Sequence, residues 1–255
     1  MVVTTMRRCL LLMTLACLCS SNQALAAVTT VAQVPLQQQS LLALWFRLQQ
    51  QVQIQPPYSW IRPQASTPQQ TQARTQLLTD LQPLLNTLPA LSQWRQQLLA
   101  DSDWREPGHW DVASLMTSVR KGVPTSELAA IGSCTPPNWI EVWSDKGVQR
   151  LPWRPTLRLS FLTTRHSKAD WAWLILPWGE VQKRGIAAWN LDDTELLPGT
   201  RLLLNLSQHH KATETLLPTL ANYLAHLLPG DDCQQLLLDD ASNTIPATAT
   251  AHVTD

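Results

Sequence analysis

Apolar and polar residues follow two rhythms along this chain, and they divide it into a helical first half and a strand-rich second half. Between 68 and 100, Leu77, Leu78, Leu81, Leu84, Leu85 and Leu88 recur at spacings of three and four, the stripe of an amphipathic helix. Thr67 stands where an N-cap belongs and Pro68 at the first helical position. Pro83 and Pro89 should kink or divide the run, with "LSQWRQQLLA" (91–100) as a second helical piece. A short helix is expected over 111–122, with Asp111 near its start and Arg120, Lys121 and Gly122 at its end, as the helix dipole and C-terminal glycine preference require. Upstream, "LLALWFRLQQQVQIQ" (41–55) reads as helix turning into strand, "QPPYSWIRP" (55–63) as a loop bounded by prolines, and 103–110 as a further loop.

After residue 133 the period falls to two. "PNWIEVWSDKGVQRLP" (137–152) alternates around Asp145-Lys146-Gly147, the pattern of a hairpin. "TLRLSFLTT" (156–164) predicts a strand with Leu157, Leu159 and Phe161 on one face. "WAWLILPWGEVQKRGIAAWN" (171–190) predicts two strands around a turn, and Pro198-Gly199 leads into a strand from Arg201 to Leu206. The helical rhythm then returns over 211–230, where Leu216, Leu220, Tyr223, Leu224, Leu227 and Leu228 share a face and Gly230 is a stop signal. The final "ASNTIPATATAHVTD" has little to bury and is expected to be disordered.

The N-terminus changes the compartment. Arg7 and Arg8, the apolar run 9–19 and Ala24-Leu25-Ala26 form the pattern of a cleavable secretory signal over 1–26. Lipidation at Cys17 is disfavoured because Leu15 sits one place too close for a lipobox. Beyond the signal lie about 230 residues with 17 basic and 19 acidic side chains, a formal charge of −2. No basic patch dominates, which argues against nucleic acid as a partner. Two cysteines remain, Cys134 and Cys233, and in an exported chain an even pair favours a disulfide over two free thiols.

Recognised catalytic motifs are missing. There is no G-x-S-x-G, H-E-x-x-H, Walker or G-x-G-x-x-G sequence. Ligand spacing makes only a weak metal candidate of His209, His210, Asp231, Asp232 and Cys233, so neither metal nor cofactor is expected. Adjacent acids at Asp192-Asp193, Asp231-Asp232 and Asp239-Asp240 read as solvated turns, and no catalytic residue is assigned. The tryptophans are the distinctive feature: four of twelve fall within 171–190. They suit a core, a sugar-stacking surface or an active-site lining. Trp171, Trp173 and Ile175 share one strand face and Ala172, Leu174 and Leu176 the other, so both faces are apolar and burial on both sides is favoured. Trp178, in the turn, is then the tryptophan expected to be exposed.

"VQKRGIAAWNLDDTELLPGTRLLLNLS" (181–207) followed by a leucine-rich amphipathic helix resembles the C-terminal part of the capsule biosynthesis GfcC-like proteins. A loose likeness extends upstream, through the Trp-Pro-rich loop before a long helix and Ser118-Val119-Arg120. The resemblance implies an α+β protein of β-grasp-like domains: 27–132 with a helical insertion, 133–210 abbreviated because only "RHSKAD" (165–170) precedes the Trp-rich hairpin, a C-terminal helix 211–230, and a mostly disordered tail 231–255. It implies a periplasmic accessory of capsule or exopolysaccharide export that works by binding, with the outer-membrane export machinery or the polysaccharide itself as partner, and a protein contact through the last helix as a further expectation. A polysaccharide-binding module and a polysaccharide-modifying enzyme are the alternatives. Trp178, Arg184 and Arg120 are the candidate binding residues, the arginines for paired hydrogen bonds to acidic sugars.

Overall fold

A computed structural model describes residues 40–50, 52–89, 91–100, 103–117, 124–161, 169–206 and 211–238. The chain is α+β, as expected, and its strands form two sheets. In chain order the elements are α1 (Leu41–Gln49), β1 (Ser59–Pro63), α2 (Ser66–Leu81), α3 (Leu91–Ala100), α4 (Val112–Thr117), β2 (Leu128–Cys134), β3 (Trp139–Ser144), β4 (Gly147–Pro152), β5 (Trp171–Ile175), β6 (Val181–Gly185), β7 (Arg201–Leu204), α5 (Lys211–Ala225) and β8 (Cys233–Leu237). The small sheet runs β1-β2-β8 and is antiparallel throughout. The large sheet runs β4-β3-β7-β5-β6, with β3 and β7 parallel at its centre and a hairpin on either side.

Each sheet is covered by the helices whose periodicity marks an apolar face. On one side of the large sheet, Trp143, Ile175 and Leu203 meet Leu77 and Leu81 of α2, Trp94 and Leu98 of α3, and Leu217, Leu220 and Leu224 of α5. On its other side, Ile140, Val142, Ala172, Leu174, Leu202 and Leu204 are sealed by Leu159, Ile186 and Leu196. Leu44, Trp45 and Leu48 of α1 cover Ile61, Ile131 and Leu236 of the small sheet.

Several expectations change, each for a local reason. Residues 59–63 form strand β1 instead of a loop. Pro56 and Pro57 build a single 3-10 turn and Pro63 sits at the strand's end on an edge, where a missing N–H is tolerated. Residues 156–160 form turns with one isolated bridge, Arg158 to Glu195, instead of a strand. Their backbone bonds go to the neighbouring segment, Leu159 N–H to Thr194 (2.8 Å) and Leu196 N–H to Leu157 (2.9 Å), so their apolar side chains roof the sheet without joining it. Residues 162–164 lie outside the described residues. Thr67 and Pro68 lie inside the first turn of α2, which starts at Ser66. The last helix ends at Ala225, short of Gly230, and Pro218 is accommodated within it on the exposed face.

The segment 231–255, expected as mostly disordered, contains β8, paired to β2 from Ala130–Leu237 to Cys134–Cys233. The disulfide Cys134–Cys233 links these partners across a separation of 99 residues. The boundary expected at 132/133 consequently falls inside β2, which is bonded to a strand on each side. The signal segment 1–26 and the tail 241–255 lie outside the described residues. No described helix is long and apolar enough to cross a membrane.

Segment 103–106 stitches the two sheets together. Glu106 bridges Ile61 of the small sheet, and Trp104 bridges Leu227 just past α5. Arg105, fully buried, donates its backbone N–H to His226 (2.7 Å) and its Nε to Leu227 (2.9 Å). Arg201, 7 % exposed, reaches Leu228 O with Nη2 (2.8 Å) and lies with its Nε 3.4 Å from Glu141 Oε1. Glu141, 2 % exposed, also accepts from Trp143 Nε1 (2.8 Å) and Arg150 Nε (3.1 Å).

Removing one member of a buried ion pair leaves the other desolvated and unpaired. Arg201→Ala is therefore expected to lower the unfolding free energy by about 3–5 kcal/mol in urea titration; a loss under about 1 kcal/mol would mean that Arg150 alone satisfies Glu141. The double change Cys134→Ser, Cys233→Ser should cost about 2–5 kcal/mol by the same measurement, because it frees a long loop in the unfolded chain.

Candidate functional site

The hairpin of β5 and β6 places one aromatic cluster at its open end. Trp171 pairs with Gly185, Trp173 with Lys183 and Ile175 with Val181, and this face of the hairpin turns toward α5. Ile175 is buried, whereas Trp171 and Trp173 are half-buried. The Lys183 ammonium lies 4.9 Å from the Trp171 ring centre and 5.2 Å from that of Trp173, within cation–π range of both. Asn205, just past β7, fixes the backbone of Trp171 from both sides: its N–H donates to Trp171 O (3.0 Å) and its Oδ1 accepts from Trp171 N–H (3.1 Å).

Trp189 completes the cluster from a pinned turn. Asn190 Oδ1 accepts from Ala187 N–H (2.9 Å), Asn190 Nδ2 donates to Asp170 O (3.1 Å), and Asp192 N–H donates to Gly185 O (3.1 Å). The turn folds so closely over Gly185 that a Cβ there would collide with the Asn190 carbonyl. Trp189 is 72 % exposed, with its ring 6.2 Å from that of Trp171 at 84°.

Beside these rings lies a cleft of about 200 Å³. Trp171, Trp173 and Lys183 form its strand wall, Asn205 and Leu206 its floor, and Thr213, Glu214 and Leu217 of α5 its helical wall. Pro218 has no N–H to offer the carbonyl of Glu214, four residues earlier, so that oxygen lacks its helical donor. The site combines flat apolar faces with a cation, a carboxylate and an amide. That inventory suits a ligand with one apolar face and many hydroxyls, which stacks on indole and exchanges hydrogen bonds at its edges.

The candidates taken from the sequence lie elsewhere. Trp178 is half-buried at the opposite end of the hairpin, instead of being the exposed tryptophan. Its ring packs on His109 (4.9 Å between centres), its Nε1 donates to Glu180 (2.9 Å), and its carbonyl accepts from Gly108 N–H (2.8 Å). Gly179, at φ 88°, lets this turn close against Pro107. Hydrogen bonds from Gln182 and then Trp178 hold the Glu180 carboxyl below its usual value. Arg184 shares the hairpin face of Ala172, away from Lys183, and is engaged by Asp192 (2.6 Å) and by Gln182 Oε1 (2.7 Å from Nη2). Arg120 lies outside the described residues.

Of the weak metal set, Cys233 is in the disulfide, Asp231 is held by Trp139 Nε1 (2.7 Å) and Arg150 Nη1 (2.9 Å), Asp232 Oδ2 accepts from the Thr135 hydroxyl (3.1 Å), and His209 and His210 lie outside the described residues. Among the described residues no group of three or more His, Cys, Asp or Glu could hold a metal ion.

Lys183 was legible in advance: a turn centred on 178 sets it opposite Trp173 on the same face. The exposure of Trp189 was not, because it depends on the bond from Asn190 to Asp170, twenty residues away. Trp189→Ala should leave the thermal midpoint nearly unchanged, since a mostly exposed side chain away from the core contributes within about 0.5 kcal/mol. Gly185→Ala should cost about 1–3 kcal/mol by displacing the turn. Equal effects of the two changes in a melting experiment would contradict this account of the turn.

A scan of the chain against protein-family models finds no match, and a search of curated proteins finds none either.

Proposed function

We propose that the protein is a non-enzymatic periplasmic accessory of capsule or exopolysaccharide export, and that it holds the glycan at the Trp171–Trp173 cleft and on Trp189 beside it. The observation that carries this reading is Trp189, presented to solvent on a turn fixed by its own backbone and by Asn190. Leaving an indole in water forgoes burial worth about 25 cal/mol per Å². A pinned, exposed aromatic beside a cleft that carries a few polar groups is the arrangement that stacks a sugar at little ordering cost.

The compartment rests on the signal pattern at 1–26, and the export setting on the resemblance of 181–207 to GfcC-like proteins. The strand order β4-β3-β7-β5-β6, with a parallel central pair and a helix across one face, supports a β-grasp architecture for the large sheet. The apolar stripe of α5 is buried in the protein's own core, so contact with export machinery would use other surfaces.

Binding is favoured over chemistry by the state of the carboxylates. Asp192 pairs with Arg184 (2.6 Å), Asp193 with Arg158 (2.7 Å) and Asp231 with Arg150 (2.9 Å). Hydrogen bonds from Ser160 N–H and Arg158 hold the Asp193 carboxyl below its usual value. A glycosidic general acid needs a shift in the opposite direction.

The test uses cells from which the gene has been deleted, complemented with wild type or Trp189→Ala. Surface-attached glycan should fall while total synthesis stays near normal. Wild type should restore it and Trp189→Ala should not. Unchanged amount and location of glycan in the deletion strain would refute the export role; full rescue by Trp189→Ala would refute the cleft.

A further inference from the structure

Resting on that reading, we infer that the ligand is an acidic oligosaccharide spanning two subsites: the cleft takes one sugar, whose carboxylate meets Lys183, and Trp189 stacks the next. Size sets the first part. The cleft of about 200 Å³ is smaller than the roughly 300–1,000 Å³ of sites for drug-sized ligands, which leaves room for one pyranose ring. Trp189 stands outside it, and its ring meets that of Trp171 at 84°, so the two faces cannot stack on the same sugar. Two successive residues of one chain, turned about their linkage, present two such faces. A single sugar leaves one of the rings unused.

Charge sets the second part. Among the described residues Lys183 is the cation lining the cleft, and its ammonium meets the faces of Trp171 and Trp173. Such a contact at an exposed lysine stabilises weakly, about 0.5–1 kcal/mol, and it leaves N–H donors for a ligand. A carboxylate placed against it gains a charge-assisted hydrogen bond. Glu214, on the opposite wall, repels a ligand carboxylate and accepts hydroxyls instead, so the acidic group must face the strand wall. The position of Glu214 in the first turn of α5 is favourable by itself, through the helix dipole. The other cation of the hairpin, Arg184, is on the opposite face and paired with Asp192. Discrimination for an acidic sugar therefore falls to Lys183.

The test is calorimetric titration of the mature protein with trigalacturonate and trimannuronate, each as free acid and as methyl ester, and with the two monouronates. Esterification removes the charge and keeps the ring. Wild type should prefer at least one free-acid trisaccharide over its ester by about tenfold, the gain of one charge-assisted hydrogen bond. Lys183→Gln should abolish the preference, and Glu214→Gln should strengthen binding of the acid. Trp189→Ala should weaken the trisaccharide by about tenfold and leave the monouronate unchanged.

Esters that bind as well as acids, or a preference that survives Lys183→Gln, would overturn the acidic ligand and leave the glycan site standing. Equal losses for mono- and trisaccharide in Trp189→Ala would overturn the second subsite. No binding by any of these sugars at millimolar concentration would overturn both the inference and the glycan reading. All three altered residues are exposed, and an unchanged thermal midpoint confirms that each variant is folded.

Discussion

The arrangement of the two sheets depends on two buried arginines that grip the peptide leaving the last helix. Arg105 holds the carbonyls of His226 and Leu227, and Arg201 holds that of Leu228. A chain leaving a helix carries carbonyls that have lost their helical partners and need donors. The His226 carbonyl takes the Arg105 backbone N–H, but supplying the other two from guanidinium groups in the interior is costly, because each charge leaves water. Burial, with the Arg201 charge beside it, pulls the Arg105 guanidinium below its usual pKa. Glu141 offsets part of that cost at Arg201, and Trp143 and Arg150 satisfy the rest of the carboxylate.

This grip sets the position of the described residues downstream and much that lies far upstream. Past Leu228 the chain turns into β8 and is locked to β2 by the disulfide, closing the small sheet. In the other direction α5 runs back about 22 Å along the large sheet, at 1.5 Å per residue. Its first turns then form one wall of the tryptophan cleft. The hairpin is held at both ends in the same way: the Trp178 turn seats on Pro107 and Gly108, which continue directly from Arg105, and the Trp171 end is tied to Asn205. A rigid frame can leave one indole in water without loosening the fold, because the residues that position Trp189 are satisfied by backbone and amide bonds. Stability thus sits in the arginine grip, and the proposed glycan site in the open end of the hairpin.

Helices were legible because their signal is local. The leucines of α2 and α5 repeat at helical spacing, and their faces are the ones buried. The hairpins at 139–152 and 171–185 were legible for the same reason, the first from alternation around a glycine turn and the second from an apolar run ending at one. What stayed hidden depends on distant partners. Cys233–Leu237 has no alternation of its own and becomes a strand because β2 offers an edge and a cysteine. Ser59–Pro63 is masked by prolines that shape its ends, not its middle. Leu157, Leu159 and Phe161 alternate like a strand, yet the sheet needed a roof at that point more than a sixth strand. The candidate site follows the same rule. Two of its tryptophans and Lys183 could be set on one face from the sequence, whereas Trp189 and Glu214 join them only through the return of the chain.

The most direct measurement is an NMR titration of the indole N–H groups of the twelve tryptophans with the cell's own purified polysaccharide. The account predicts that the signals of Trp189, Trp171 and Trp173 shift together in a saturable way, while those of Trp45 in the small core and Trp178 at the far turn stay in place. Indole signals that do not move at all, or a shift confined to Trp178, would contradict it.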